Sequence, residues 1–261
     1  PKGRGPHAID KMNHTYKMTI AYDGTLYSGW QVQPNGSSIQ AEIQNALQTL
    51  LKKPTPIVGS GRTDAGVHAL GQVAHFTTSQ NLEVKKFLFS LNSLLPHDIR
   101  IKELISAPPD FHARYSAIKK IYHYRMHLHS HQDPFNRLYS THIRHPIDTH
   151  LLHKAIPFFI GTHDFTSFSN EPNRGSALHK PIKTLFSLKC VQEGDQILLI
   201  FEGDGFLYKM VRNIVGTLLL VASNKLLPEE IPGIFEAKDR RKAGPAVPPQ
   251  GLFLHSVYYR E

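Results

Sequence analysis

The sequence is short of cysteine, of acid relative to base, and of long apolar runs, and each shortage excludes something. Cys190 is the only cysteine, so no internal disulfide can form and a disulfide-stapled secreted scaffold is ruled out. No apolar stretch approaches the roughly 20 residues that a bilayer-spanning helix needs, and none reads as the core of a signal peptide. A soluble chain in the reducing cytoplasm is the expectation. Asp and Glu number 21 against 30 Lys and Arg, a formal net charge of +9. Clustered Lys and Arg bind polyanions by releasing condensed counterions, which points to nucleic acid, although charge kept for solubility would look the same. Residues 1–15 are expected to be a disordered or cloning-derived tail, and without its basic stretch PKGRGPHAIDK the rest of the chain is still strongly basic.

What is present is a regular alternation of strand-like and helix-like segments. With 261 residues the chain is at the length, roughly 250, where single cores stop growing, so two halves are expected. Tyr16–Tyr22 reads as a strand stopped by Asp23-Gly24. Ser37 and Gln40 have capping-box spacing, and Ile39, Ile43, Ala46, Leu47 and Leu50 then recur on one helical face until Pro54 and Pro56. Ile57-Val58 and Val73–Thr77 read as strands, Val84 to Leu95 as a helix closed by Pro96, and Ile99–Ile101 as a strand. This β-α-β-β-α-β order is the ferredoxin-like motif.

After the turn-rich Ala107-Pro108-Pro109-Asp110 the order begins again. Strands are expected at Ile121–Met126, Ile182–Val191, Gln196–Glu202 and Leu252–Tyr259, with a loop over 161–180. Helices are expected near 148–160, shortened by Pro157, through the apolar face of Met210, Val211, Ile214, Val215, Leu218 and Leu219, and near 228–237. The fold class is therefore α/β (α+β): two ferredoxin-like, RRM-like domains, residues 16–107 and 108–261. Their antiparallel sheets are expected to join edge to edge around a central basic cleft.

Residues 59–76, GSGRTDAGVHALGQVAHF, hold an acid and a guanidinium on one bend at the mouth of a strand. Gly59, Gly61 and Gly66 permit positive φ and close approach, so the loop can be tight. Arg62 next to Asp64 favours the ionised carboxylate, and a pocketed carboxylate is a nucleophile or a general base. Read from the turn alone, the pattern favours Asp64 as an Asx-turn acceptor with Arg62 as its surface ion-pair partner.

The stretch GRTDAGVHALGQVAHF resembles the signature of the tRNA pseudouridine synthase A family. Further matches run in that family's order: AYDG with GWQ at 21–31, LPHDI at 95–99, DFHARYSA at 110–117, YHY at 122–124, HDFTSF at 163–168, MVRNIVG at 210–216 and GLFL at 251–254. The resemblance thus covers nearly the whole chain. It implies isomerisation of uridine to pseudouridine at positions 38 to 40 of the tRNA anticodon stem-loop, by a homodimer, without cofactor or metal. It implies that Asp64 is the catalytic carboxylate, that Arg62 fills the space left by the everted uridine, and that Tyr122 stacks on the target base. Arg212 is placed inward against Asp64, and Leu252 lines the base pocket. Attack on C6, addition to C1′ and removal of a sugar proton all remain open routes. Without the resemblance, Tyr122 and Leu252 are also ordinary strand core and Arg212 a helix-surface phosphate contact. A catalytically silent tRNA-binding protein is the rival reading.

The 17 histidines raise the question of a metal, but His127, His129 and His131 alternate with no Cys or carboxylate at zinc spacing, so none is expected. Gly203-Asp204-Gly205-Phe206 lacks the Lys-Ser/Thr of a P-loop and reads as a strand end. Lys238–Lys242 is a charge run suited to solvent or to an RNA backbone.

Overall fold

The computed structural model describes residues 13–34, 36–170 and 181–260; most of the expected tail and residues 171–180 of the expected loop lie outside them. The first strand, β1 (His14–Tyr22), starts two residues inside the expected tail. Its even positions Tyr16, Met18, Ile20 and Tyr22 are buried, the period-2 signature of a strand with one covered face. Helix α1 (Ile39–Leu51) lays Ile39, Ile43, Ala46 and Leu47 on that face. Its cap is Ser38, which accepts from the Ala41 N–H, and not the expected Ser37, whose hydroxyl donates to Glu42 instead. Gln40 is drawn away from a capping role because its side chain accepts from the Val32 N–H and donates to the Ile57 carbonyl.

Strand β2 (Val58–Gly59) leads into the quoted bend, and β3 (His68–Thr78) leaves it at once, five residues earlier than expected. Helix α2 (Val84–Leu94) stops before Pro96, and β4 (Ile99–Ala107) runs on to the inter-half turn. In the second half come β5 (Ala117–Leu128), β6 (Thr141–Ile143), α3 (Thr149–Ala155) and a 3-10 turn over Ile156–Phe159 that carries Pro157. The expected loop then contains β7 (Gly161–Asp164) and a second 3-10 turn, Thr166–Phe168. Strands β8 (Ile182–Glu193) and β9 (Gln196–Gly203), helices α4 (Met210–Ala222) and α5 (Ile231–Ala237), and β10 (Leu252–Tyr259) complete it.

All ten strands among the described residues belong to one sheet, ordered β4-β1-β3-β10-β5-β9-β8-β7, with β2 on β3 and β6 on β5. The fold is thus mixed α and β, as expected. The halves meet where β10 pairs in parallel with β3, through Phe253 with His68 and Leu254 with Ala69 only. On its other side β10 pairs antiparallel with β5 along most of its length. One sheet face carries the helices over a continuous buried core that includes Tyr22, Trp30, Tyr122, Tyr124, Leu252 and Leu254. The opposite face is open, and a cavity of about 540 Å³ lies there, lined by Lys17, Thr19, Val73, Lys102, His255 and Tyr259 among others.

Candidate active site

The bend between β2 and β3 is fixed from three sides before any ligand is considered. Ser60 Oγ donates to Gln72 Oε1 at 2.7 Å, while Gln72 Nε2 donates to the Gly61 carbonyl at 3.0 Å. Thr63, next to Asp64, shares a buried 2.7 Å hydroxyl bond with Tyr22, and its carbonyl accepts from the Trp30 N–H at 3.1 Å. Gly29 lies against the same carbonyl with φ 99°, where a Cβ would stand 2.5 Å from the Thr63 oxygen, so only glycine fits. Of the three glycines in the bend, Gly66 alone takes a positive φ, 75°, and it closes the turn behind Asp64. The tightness expected of this loop is present, but it comes from Gln72, Thr63 and Trp30 as much as from glycine.

Asp64 does not pair with Arg62. Its Oδ2 accepts from Arg212 Nη1 at 2.7 Å, with the two side chains 18% and 11% exposed. Arg62 is exposed and makes no ion pair among the described residues. The acid is instead taken by a guanidinium 148 residues further along the chain, carried on α4. Arg212 is itself seated by its Nε donating to the Val247 carbonyl at 2.7 Å, and that residue's N–H returns to the Arg212 carbonyl. A guanidinium this covered is costly unless paired, and Asp64 supplies the carboxylate.

Tyr122 and Tyr124 stand on the same face of β5, both buried. Burial pushes the Tyr122 phenol above its usual range, with smaller contributions from Tyr22 and from the Asp64 carboxylate, so the phenol is neutral. Phe206 meets it edge-on at 5.0 Å. Leu252, also buried, pairs in register with Tyr124, whose hydroxyl bonds Thr141 at 2.6 Å and the Pro248 carbonyl at 2.8 Å. The structure thus joins Asp64 to Arg212, sets Tyr122 where the Asp64 charge reaches it, puts Leu252 on the neighbouring strand β10, and leaves Arg62 exposed. The large cavity on the open face includes none of them.

A second knot was not foreseen. His68 is buried, its Nδ1 accepts from the Gly24 N–H at 3.0 Å, and its Nε2 lies 3.0 Å from the Leu138 carbonyl. Burial pushes its pKa down, while Asp23 at 3.1 Å pulls the other way. Tyr139 donates to the other Asp23 oxygen at 2.7 Å, so the end of the Asp64 bend is tied to both halves of the chain. The sequence signal was the His inside the signature stretch, adjacent to AYDG in space but not in the chain. Among the described residues no group of three or more His, Cys, Asp or Glu could hold a metal. The alternating histidines instead stack, His127 with His129 at 5.8 Å, and His142 donates to the His129 carbonyl. The charge run is tied to the fold as well: Arg240 donates to Asn213 and Asn170, and Lys238 pairs with Asp164.

Residues 18–116 and 155–260 match a family model described as tRNA pseudouridine synthase. The chain is 59% identical over 247 residues to tRNA pseudouridine synthase A 1 of Protochlamydia amoebophila, a match covering 94% of this chain and 96% of that protein. It is 44% identical to tRNA pseudouridine synthase A of Chlamydia muridarum, over 93% of this chain and 91% of the relative. For the Bacillus subtilis protein of the same name the figures are 42%, 93% and 98%. Among the described residues no helix is long and apolar enough to cross a membrane.

Proposed function

The chain belongs to the tRNA pseudouridine synthase family, and from that premise we propose that it isomerises uridines 38, 39 or 40 of the tRNA anticodon stem-loop with Asp64 as its catalytic carboxylate. As a pseudouridine synthase it is an isomerase: the N1–C1′ bond breaks, C5 joins C1′, C5 loses its proton and N1 gains one. All three routes open to such an enzyme need an anion within bonding reach of the nucleotide. The 2.7 Å pair from a covered Arg212 to Asp64, beside the neutral Tyr122 ring, carries the proposal. Arg212 holds the carboxylate in one orientation.

On this reading Tyr122 supports the target base, worth about 1–3 kcal/mol for a stacked base, and Leu252 bounds its pocket. Arg62, free on the rim, fills the gap in the RNA stack; eversion costs a few kcal/mol, and a guanidinium offers both a stacking plane and phosphate bonds in return. The same reading carries two ferredoxin-like domains, 16–107 and 108–261, meeting at the β3·β10 seam. It also carries a homodimer working in the cytoplasm.

The test is release of tritium from tRNA labelled at uridine C5. The wild type is expected to release it and Asp64→Asn to release none above background. Equal release from both would reject Asp64 as the catalytic carboxylate, and none from either would leave the silent tRNA binder.

A further inference from the structure

Lys120 projects from β5 on the face that carries Tyr122 and Tyr124. Its Nζ donates to the Ser60 carbonyl at 2.6 Å, at the start of the bend that ends in Asp64. Among the described residues it has no ion-pair partner: Glu202 is taken by Lys119 at 2.8 Å, and Asp64 by Arg212 at 2.7 Å. The charged groups that face it are both cations, Arg114 from the turn before β5 and Lys183 from β8. Arg114 is exposed, its guanidinium 5.8 Å from the Tyr115 ring centre. A half-buried ammonium that meets two like charges and a single neutral carbonyl is an incomplete site, because only an anion offsets the repulsion and the lost hydration.

We propose that Lys120, Arg114 and Lys183 form a binding corner for one phosphodiester of the substrate RNA backbone, beside the loop that carries Asp64. The proposal rests on the tRNA-modifying reading above. A phosphodiester brings one full negative charge and two open oxygens, which suits two compact ammonium groups beside a guanidinium. Since Lys120 also holds Ser60, substrate backbone and catalytic bend share one donor, so docking the phosphate registers the nucleotide against Asp64. Burial and the two neighbours push the free Lys120 pKa down to about 8, a value that an arriving anion raises.

Two measurements test this. The first is tRNA affinity against KCl concentration for the wild type, Lys120→Met, Lys120→Arg and the exposed control Lys85→Met on α2. The slope of log Kd is expected to fall by about 0.7–0.9 in Lys120→Met, one phosphate contact, and to stay at the wild-type value in the other two. The second needs no variant in the binding assay: the 13Cε resonance of Lys120 in wild-type protein is titrated with pH, free, with anticodon stem-loop RNA, and with inorganic phosphate. RNA is expected to raise the apparent pKa by at least one unit and millimolar phosphate not to. An unchanged slope in Lys120→Met, an unmoved resonance, or an equal shift with phosphate alone would overturn the corner. Tritium release by the wild type is followed in parallel. Its absence sinks the catalytic reading, whereas its presence with a silent Lys120 sinks only this site.

Discussion

Replacing Asp64 with Ala leaves the Arg212 guanidinium, 9% exposed, with the Val247 carbonyl as its remaining acceptor. Residues that perform chemistry are commonly a burden on stability, but the geometry here gives the opposite sign. Exposed ion pairs contribute about 0.2–1 kcal/mol, and stripping one partner from a fully buried pair costs about 3–5. With side chains 18% and 11% exposed and a 2.7 Å bond, Asp64→Ala falls between these limits, at about 1.5–3 kcal/mol. Arg212→Met should cost about 1 kcal/mol more, because the Val247 carbonyl also loses its donor. The double variant should cost less than the sum by about 1.5 kcal/mol or more, the coupling of the pair. Urea unfolding of the four proteins at pH 7 measures all of these. A stabilised Asp64→Ala, or a coupling below about 0.5 kcal/mol, would refute the argument that a covered guanidinium depends on this carboxylate.

Two further outcomes are expected. Gly29→Ala puts a methyl 2.5 Å from the Thr63 oxygen on a backbone at φ 99°, so it should displace the Asp64 bend, lower stability by about 1–3 kcal/mol and cut kcat/KM for tritium release by about 100-fold; wild-type values for both would contradict it. His123 is pushed down to about 4 by burial, then by its neighbours His255 and Arg125. A depressed histidine favours the neutral folded state, so its contribution is complete above the ordinary value of 6.5 and is lost as pH falls toward 4. His123→Gln should therefore flatten the drop in urea midpoint between pH 7 and 5, and an identical drop in wild type and variant rejects the assignment.

Legibility in the sequence followed the strength of local pattern. Helix α4 was plain because Met210, Val211, Ile214, Val215 and Leu218 repeat at helical spacing and all are buried. The long strand β5 was visible by its alternation, and β1, β8, β9 and β10 as runs rich in apolar, β-branched and aromatic residues. Strand β6 was not, since its three residues, Thr141–Ile143, pair with the end of β5 without any apolar rhythm of their own. β7 was hidden in the same way inside a polar stretch. At the site, Asp64 stood out by its glycine-bounded setting, and the inward Arg212 came from family resemblance and not from periodicity. The supports of the bend, Gln72, Thr63 and Trp30, were not legible as such: they act through backbone carbonyls, which no side-chain pattern announces. Lys120 likewise looks like one of two adjacent strand lysines until tertiary packing shows that Lys119 has an acid and Lys120 does not.

β10, though last of the strands in sequence, occupies the middle of the sheet, touching β3 through two residue pairs and β5 along its length. During synthesis, the sheet cannot become continuous until residues 252–259 clear the ribosome. Nascent chains stalled before that point expose the inner edges of β3 and β5, open to strand addition from other polypeptides. Emergence of β10 is thus the step that zips the two halves together, and any message cut short before it should yield aggregate instead of a crippled enzyme.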